Sequence, residues 1–149
     1  MIKLSQDIRN SRITAILSAI DSQTTAGGVM FYSIPTPLTT GAAITTQILL
    51  ASCALSKPSG TVSNGELIFN VITSDLAAEN TGAIAFGRIV DGAGNFILDG
   101  DVGISDGHGG YIINGVASST PPAFLFNTIN VIQGGTVQIT AITITDGNA

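Results

Sequence analysis

The sequence predicts a mainly β protein: an antiparallel β-sandwich or barrel that follows an N-terminal α-helix. Short segments rich in β-branched and aromatic residues recur through residues 28–145, and Gly, Asp-Gly and Asn-Gly turn signals separate them. Residues 5–21, in contrast, contain neither Gly nor Pro and carry apolar residues at helical spacing. Because 149 residues is the usual length of one domain, we expect a single domain over residues 1–149.

The N-terminal helix is predicted over residues 5–21, with Ser5 as its N-cap. At about 100° per residue, the polar side chains gather on one arc and apolar side chains fill a wide arc opposite. So wide an apolar arc predicts that the helix is contacted on more than one side. Its members are Ile8, Ile13, Ala15, Ile16, Leu17, Ala19 and Ile20.

The sandwich is predicted to occupy residues 28–145. Pro35-Thr36-Pro37 ends its first strand, and residues 91–94 (Asp-Gly-Ala-Gly) are predicted as the turn of a hairpin. The predicted strands are residues 29–34, 44–55, 67–72, 82–90, 95–104, 111–113, 124–132 and 136–145. The last strand alternates strictly until the pattern slips between Thr140 and Ile142, which indicates a bulge or a covered outer face.

Charge is scarce in this chain. Only 10% of the residues are charged, whereas an average soluble domain has about 25%. A hydrophobic content of 44% with a net charge of −5 excludes disorder. Five basic residues against ten acidic ones leave no footprint for phosphates, so we expect no nucleic-acid partner.

No signal peptide or membrane span is recognisable in the sequence. Charged and polar residues interrupt every apolar stretch near the start. The longest apolar stretch, residues 48–55, is far shorter than the roughly 20 residues that cross a bilayer. We therefore expect synthesis in the cytoplasm and no membrane partner.

Residues suited to catalysis are few. One His and one Cys cannot form a zinc cluster, and phosphate-loop and nucleophile-elbow motifs do not occur. His108 lies in a glycine-rich loop, which would hold a general base poorly. Apolar neighbours predict that Cys53 is a buried, inert thiol. We expect no enzymatic activity and no cofactor.

Asp99, Asp101 and Asp106 form the one candidate for a calcium site. They open like an EF-hand loop, but the sixth position would be Ile104 instead of Gly and the twelfth Gly110 instead of Glu. Aspartates among glycines commonly stabilise turns by accepting hydrogen bonds from nearby backbone. We favour that interpretation and expect no bound metal.

The charges are also distributed unevenly. Lys3, Arg9 and Arg12 against Asp7 give residues 1–12 a charge of +2, and two basic against nine acidic residues leave −7 for the rest. Arg9 and Arg12 project into the apolar arc of the helix, which favours an intramolecular contact with an acidic edge of the sandwich. Binding to an acidic partner surface is the alternative for these arginines, and it is the favoured interpretation for Lys3.

Several segments resemble one group of proteins. They include residues 7–16 (Asp-Ile-Arg-Asn-Ser-Arg-Ile-Thr-Ala-Ile), 29–32, 81–89 (Thr-Gly-Ala-Ile-Ala-Phe-Gly-Arg-Ile), 92–103 and 134–145. Together these segments resemble small virion proteins of tailed bacteriophages. The best analogy within that group is to capsid decoration or cement proteins, which are jelly-roll sandwiches that clamp neighbouring capsid subunits.

The resemblance implies a jelly-roll-like sandwich with a structural role on the capsid surface of a virion, with synthesis in the host cytoplasm. The expected partners are further copies of this chain, in a homo-oligomer, and the major capsid protein. A neck, collar or tail-fibre attachment module is an alternative position in the virion. A receptor- or glycan-binding module is an alternative of another class, which the small number of aromatic residues disfavours.

Overall fold

The computed structural model describes residues 3–146. Strands hold 38% of the residues and the helix holds 10%, which confirms a mainly β fold with an N-terminal helix and antiparallel sheets in a sandwich-like arrangement. The jelly-roll connectivity stays a prediction. The elements are α1 (Gln6–Ile20), β1 (Gly28–Tyr32), β2 (Leu49–Ala54), β3 (Gly60–Ser63), β4 (Glu66–Phe69), β5 (Gly82–Ala83), β6 (Phe86–Val90), β7 (Phe96–Ser105), β8 (Tyr111–Ile113), β9 (Val116–Ser118), β10 (Phe124–Phe126), β11 (Asn130–Val131), β12 (Ala141–Ile142) and β13 (Ile144–Thr145).

Helix α1 begins and ends where the sequence predicts. The Ser5 hydroxyl accepts a hydrogen bond from the Ile8 backbone N–H, so Ser5 is the N-cap. Ile13 and Ile20 are buried, and Ile16 and Leu17 pack partly buried against the same core, while Ile8 is half exposed. The four packed side chains lie on one face of the helix and form the α1 stripe. Contact of the rest of the apolar arc with another surface stays a prediction.

The main sheet has the strand order β12-β10-β7-β6-β1-β2. The predicted hairpin forms, because β6 pairs antiparallel with the first part of β7. Beyond it, β7 pairs with β8 on one edge and with β10 on the other, and β9 pairs with β8. The β7–β10 pair is parallel, within a sheet whose other strand pairs are antiparallel.

Two smaller sheets complete the fold: β13-β4-β3 and β11-β5. The predicted Asn-Gly turn joins β3 to β4, with φ of 54° at Asn64 and 74° at Gly65. A two-residue hairpin turn with positive φ at both positions suits Asn-Gly. Helix α1 lies against this hairpin, and the Asn10 side chain accepts a hydrogen bond of 2.7 Å from the Gly65 N–H.

Several predicted strands are shorter or interrupted, among them residues 82–90, which form β5 and β6 with a break between them. Only Leu49–Ala54 of residues 44–55 is a strand, and residues 124–132 contain two short strands. Residues 136–145 take part in two sheets. Ala141–Ile142 pairs with β10 in the main sheet, and Ile144–Thr145 pairs with β4 in the β13-β4-β3 sheet. The Thr143 N–H bonds to Ala123 between these two pairings, so the segment is divided where it crosses between sheets.

The two faces of the main sheet have different neighbours. On the face that we call the inner face, Phe31 meets Phe124 and Phe126 edge to face, with ring centroids 5.4 and 4.9 Å apart. Gly87 allows this contact, because a Cβ there would lie 2.7 Å from the Phe124 ring. The buried residues of α1 join this core. The outer face carries a separate small cluster around Tyr32 and Phe86.

Candidate docking surface

Residues 33–48, which we call the apolar loop, cover part of the outer face. Three large apolar side chains of this loop point into solvent: Ile34 is 75% exposed, Leu38 is fully exposed, and Ile48 is about half exposed. Scattered exposed apolar residues are normal, but several on one protruding segment are typical of an interaction surface. The apolar loop is therefore the strongest candidate for a functional site.

Hydrogen bonds close the apolar loop at its base. The Ser33 N–H donates to the Ile48 carbonyl at 3.0 Å, and the Ile48 N–H donates to the Ser33 hydroxyl at 3.0 Å. Within the loop, the Gln47 side chain donates to the Pro35 carbonyl and accepts from the Thr45 N–H. A loop with adjoining ends and its own internal bonds has the organisation of an Ω-loop, so it presents a defined surface.

An ion pair on the outer face holds the middle of the loop. The Arg88 guanidinium donates two hydrogen bonds, of 2.7 and 2.9 Å, to the two carboxylate oxygens of Asp99. The same guanidinium donates to the Ala42 carbonyl, and Asp99 accepts from the Gly41 N–H. The guanidinium also lies 5.0 Å from the centre of the Phe96 ring. Both partners of the pair therefore bond directly to the loop backbone.

The environment of the Arg88 guanidinium favours its charged form. The hydrogen bond to Asp99 raises the pKa of Arg88 above its usual value, despite the opposing effect of burial. Beneath the loop, Tyr32 stacks on Phe86 with ring centroids 5.3 Å apart, and Ile44 and Leu49 pack against them. Burial raises the pKa of the Tyr32 hydroxyl. The loop is thus fixed by an apolar cluster on one side and by a charged anchor on the other.

The apolar loop is not apparent from the sequence alone. Residues 44–48 belong to a predicted strand, and the prolines at 35 and 37 predict only the end of another strand. A usable signal was present, because residues 22–56 contain no Asp, Glu, Lys, Arg or His. Strands β1 and β2 within this segment are largely buried, whereas residues 33–48 lie at the surface, and charged residues are depleted at the centre of protein interfaces.

The predicted partner-binding residues lie at the start of the chain. Lys3 is exposed. Arg12 Nη1 lies 3.2 Å from Asp146 Oδ2, and Arg9 Nη2 donates to the Asp146 backbone carbonyl at 3.3 Å. Although Asp146 Oδ2 is buried, it lacks a well-directed hydrogen bond, so this ion pair is mainly an electrostatic contact. Partner binding by Lys3, Arg9 and Arg12 stays a prediction.

The three calcium candidates have separate roles in the structure. Asp99 binds Arg88, Asp101 accepts from the Ala123 N–H at 2.7 Å, and Asp106 accepts from the N–H groups of His108 and Gly110. Over residues 3–146, no three His, Cys, Asp or Glu side chains come close enough together to hold a metal ion. Asp106 shows the turn chemistry that we favoured, whereas Asp99 and Asp101 bond to parts of the chain that are distant in sequence.

The remaining reactive residues are placed apart from the loop. His108 is exposed, and its ring nitrogen Nδ1 lies 3.0 Å from the Asp106 carbonyl. Cys53 is buried, and burial raises the pKa of its thiol.

Asp91 accepts hydrogen bonds from the backbone and side chain of Asn95, which are the main reason that its pKa falls to about 2.

The fold and this surface define a class: a mainly β protein that presents a fixed, uncharged loop on one sheet face. Comparisons with protein-family models, with curated proteins and with solved structures each found no match. In the described residues, no helix is both long enough and apolar enough to cross a membrane.

Proposed function

We propose that this protein is a structural virion component: a capsid decoration or cement protein that oligomerises and stabilises a phage head. The single observation that carries the proposal is the fixed apolar loop with Ile34 and Leu38 in solvent. The resemblance of several segments to small phage virion proteins supports the same function. We propose no catalytic role, and we propose the major capsid protein as the partner that covers the loop.

The mechanism is burial of apolar surface. Burying one leucine side chain is worth about 1.5–3 kcal/mol, and a preformed loop loses little conformational freedom on binding. The loop carries no charged residue, so no ion has to lose its water. A protein that binds the assembled capsid but not free subunits stabilises the assembly through linkage.

Removing the protein from its particle tests this function. Capsids that lack it should release DNA at a lower temperature than capsids that carry it, and adding back the purified protein should restore the release temperature. Equal release temperatures for the two kinds of capsid would contradict the proposal.

Leu38→Asp tests whether the apolar loop makes the contact. We expect the affinity for capsids to fall at least about tenfold, because the variant loses apolar contact area and brings a charge into the interface. Val71→Asp is the matched control, since Val71 is 80% exposed and lies outside the loop. Binding would be measured by co-sedimentation with capsids. Equal losses for the two variants would refute a specific role of the loop.

A further inference from the structure

Asparagine followed by glycine occurs twice in this chain, at Asn64-Gly65 and at Asn114-Gly115. Each pair forms the two-residue turn of a hairpin, the first between β3 and β4 and the second between β8 and β9. The backbone conformations nearly coincide, because φ is 54° and 74° in the first turn and 51° and 79° in the second. The two turns therefore present the same pair of residues in closely similar local geometry.

An asparagine that precedes a glycine can lose ammonia from its side chain. The glycine backbone nitrogen gives up its proton and attacks the asparagine Cγ, so that a new C–N bond forms and the side-chain nitrogen leaves as ammonia with that proton. Water then opens the cyclic imide at either carbonyl, which leaves aspartate or isoaspartate. Glycine has no Cβ to hinder this attack and its backbone is the least restricted. The rate depends on how easily the two reacting groups reach the geometry of attack.

The first turn is held by its neighbours. Gly65 is buried, its N–H donates to Asn10 Oδ1 at 2.7 Å, and its carbonyl accepts from the Asp146 N–H at 2.8 Å. The side-chain oxygen of Asn64 accepts a hydrogen bond of 2.7 Å from Gln6. Both reacting groups of this pair must therefore break a hydrogen bond before the attack.

The second turn lacks these contacts. Asn114 and Gly115 are both exposed. Apart from the adjoining residues, no atom lies within 4 Å of the position that a Cβ would occupy at Gly115. Within residues 3–146, neither the Gly115 N–H nor the Asn114 side chain has a hydrogen bond. Both reacting groups of this pair are therefore free to move.

We propose that Asn114 is a site of spontaneous deamidation in the folded protein, whereas Asn64 is protected by its contacts. Water is the only co-reactant, so the step needs neither an enzyme nor a cofactor. The product carries one negative charge more than the net −5 of the unmodified chain. Asn114 and Pro37 of the apolar loop line the same cavity, so the new carboxylate lies beside a loop that has no charged residue. This inference does not depend on the proposed function.

Incubation of the folded protein in a mildly alkaline buffer tests the proposal. Peptide mapping by mass spectrometry would follow each site through the small mass gain that accompanies replacement of the amide NH₂ by OH. Deamidation should be at least about tenfold faster at Asn114 than at Asn64, because Asn64-Gly65 must first break hydrogen bonds. The urea-unfolded chain is the control, in which the two sites should react at similar rates because the contacts are lost.

Variants of α1 test the cause of the difference. Asn10→Ala removes the acceptor of the Gly65 N–H, and Gln6→Ala removes the donor to Asn64 from an exposed position. Each should accelerate deamidation at Asn64 several-fold and leave the rate at Asn114 unchanged. Asn114→Gln is the matched control for the second turn, because its longer side chain closes the corresponding ring far more slowly. It should abolish the mass gain at position 114.

Two results would overturn the proposal. One is an equal rate of deamidation at the two asparagines of the folded protein, and the other is an Asn114 that does not react in the folded protein. An Asn64 rate that stays unchanged in both α1 variants would refute the protection of Asn64 by its contacts. Faster reaction at Asn114 in the folded protein, lost on unfolding, would support the assignment.

Discussion

The inner face of the main sheet is held by apolar packing, whereas an ion pair contributes much of the structure on the outer face. The inner face is an apolar core in which Phe31, Phe124 and Phe126 interlock and the α1 stripe packs. The outer face has a small aromatic cluster, and the ion pair of Arg88 and Asp99 holds the apolar loop that lies over this face. Burial of apolar area is not directional, whereas a bidentate ion pair fixes geometry. The inner face therefore stabilises the fold, and the outer face determines which surface is presented.

The inner face should show the largest loss on mutation. Phe31→Ala removes the ring that contacts both Phe124 and Phe126, and we expect the free energy of unfolding to fall by about 3–5 kcal/mol. Urea denaturation would measure this loss. Ile68→Ala, at a half-exposed position, is the control and should cost far less. A loss below about 1 kcal/mol for Phe31→Ala would mean that the three rings are not the centre of the core.

Asp99→Ala should produce a smaller loss with a local signature. It leaves the Arg88 guanidinium nearly buried without its partner, which should cost about 3 kcal/mol. The Gly41 amide loses its acceptor, so hydrogen exchange in residues 33–48 should accelerate more than exchange in the inner core. Uniform acceleration across both faces would contradict a separate anchoring role. Glu66→Ala is the exposed carboxylate control.

Asp91 should make the protein sensitive to acid. It sits at the hairpin turn beside the segment that follows α1, where it accepts hydrogen bonds from Asn95, Ala93 and Gln23. Its folded pKa of about 2 lies below the ordinary value of 3.8. The stabilisation is therefore complete above the ordinary pKa and is lost as the pH falls through the folded pKa.

Thermal unfolding from pH 5 to pH 2 would measure this contribution. The wild type should unfold at a higher temperature than Asp91→Asn at pH 5, and the difference should shrink toward pH 2. Asp7→Asn, on the exposed first turn of α1, is the carboxylate control. An Asp91 pKa at or above the ordinary carboxyl value, measured by NMR titration, would refute the assignment.

Arg12→Ala should have the smallest effect on stability. The Arg12 side chain is 60% exposed and makes one charged contact with Asp146, so its loss should cost at most about 1 kcal/mol. A loss in the free energy of unfolding as large as that of Asp99→Ala would show that the two ion pairs contribute equally to stability. With stability retained, loss of assembly in this variant would assign Arg12 to a partner contact.

The sequence predicted the local features of the fold and missed the outer face. Local signals were sufficient for the Ser5 cap, the Asn64-Gly65 turn and the β6–β7 hairpin, because each depends on a few adjacent residues. Residues 136–145 are predicted as one strand with a slip between Thr140 and Ile142, because alternation describes the orientation of side chains and not the sheet that a residue joins. Their crossing depends on a distant partner, Ala123.

The candidate site was missed for the same reason. Arg88 and Asp99 are eleven residues apart, and only the register of β6 against β7 brings them together. Residues 41 and 42, which they hold, are more than forty residues from Arg88 along the chain. In the sequence, the charges at Lys3, Arg9 and Arg12 are the more conspicuous feature, because three of the five basic residues fall within the first twelve positions. The absence of charge over residues 22–56 is a feature of the same sequence that includes the exposed loop 33–48.

A three-dimensional reconstruction of the particle, at a resolution that places individual loops, tests the central claim most directly. We expect this chain on the outer surface of the head, with Ile34 and Leu38 of the apolar loop against the capsid protein and the helix α1 side facing away. A chain located at the neck or tail, or an apolar loop that faces solvent while another surface contacts the capsid, would contradict it.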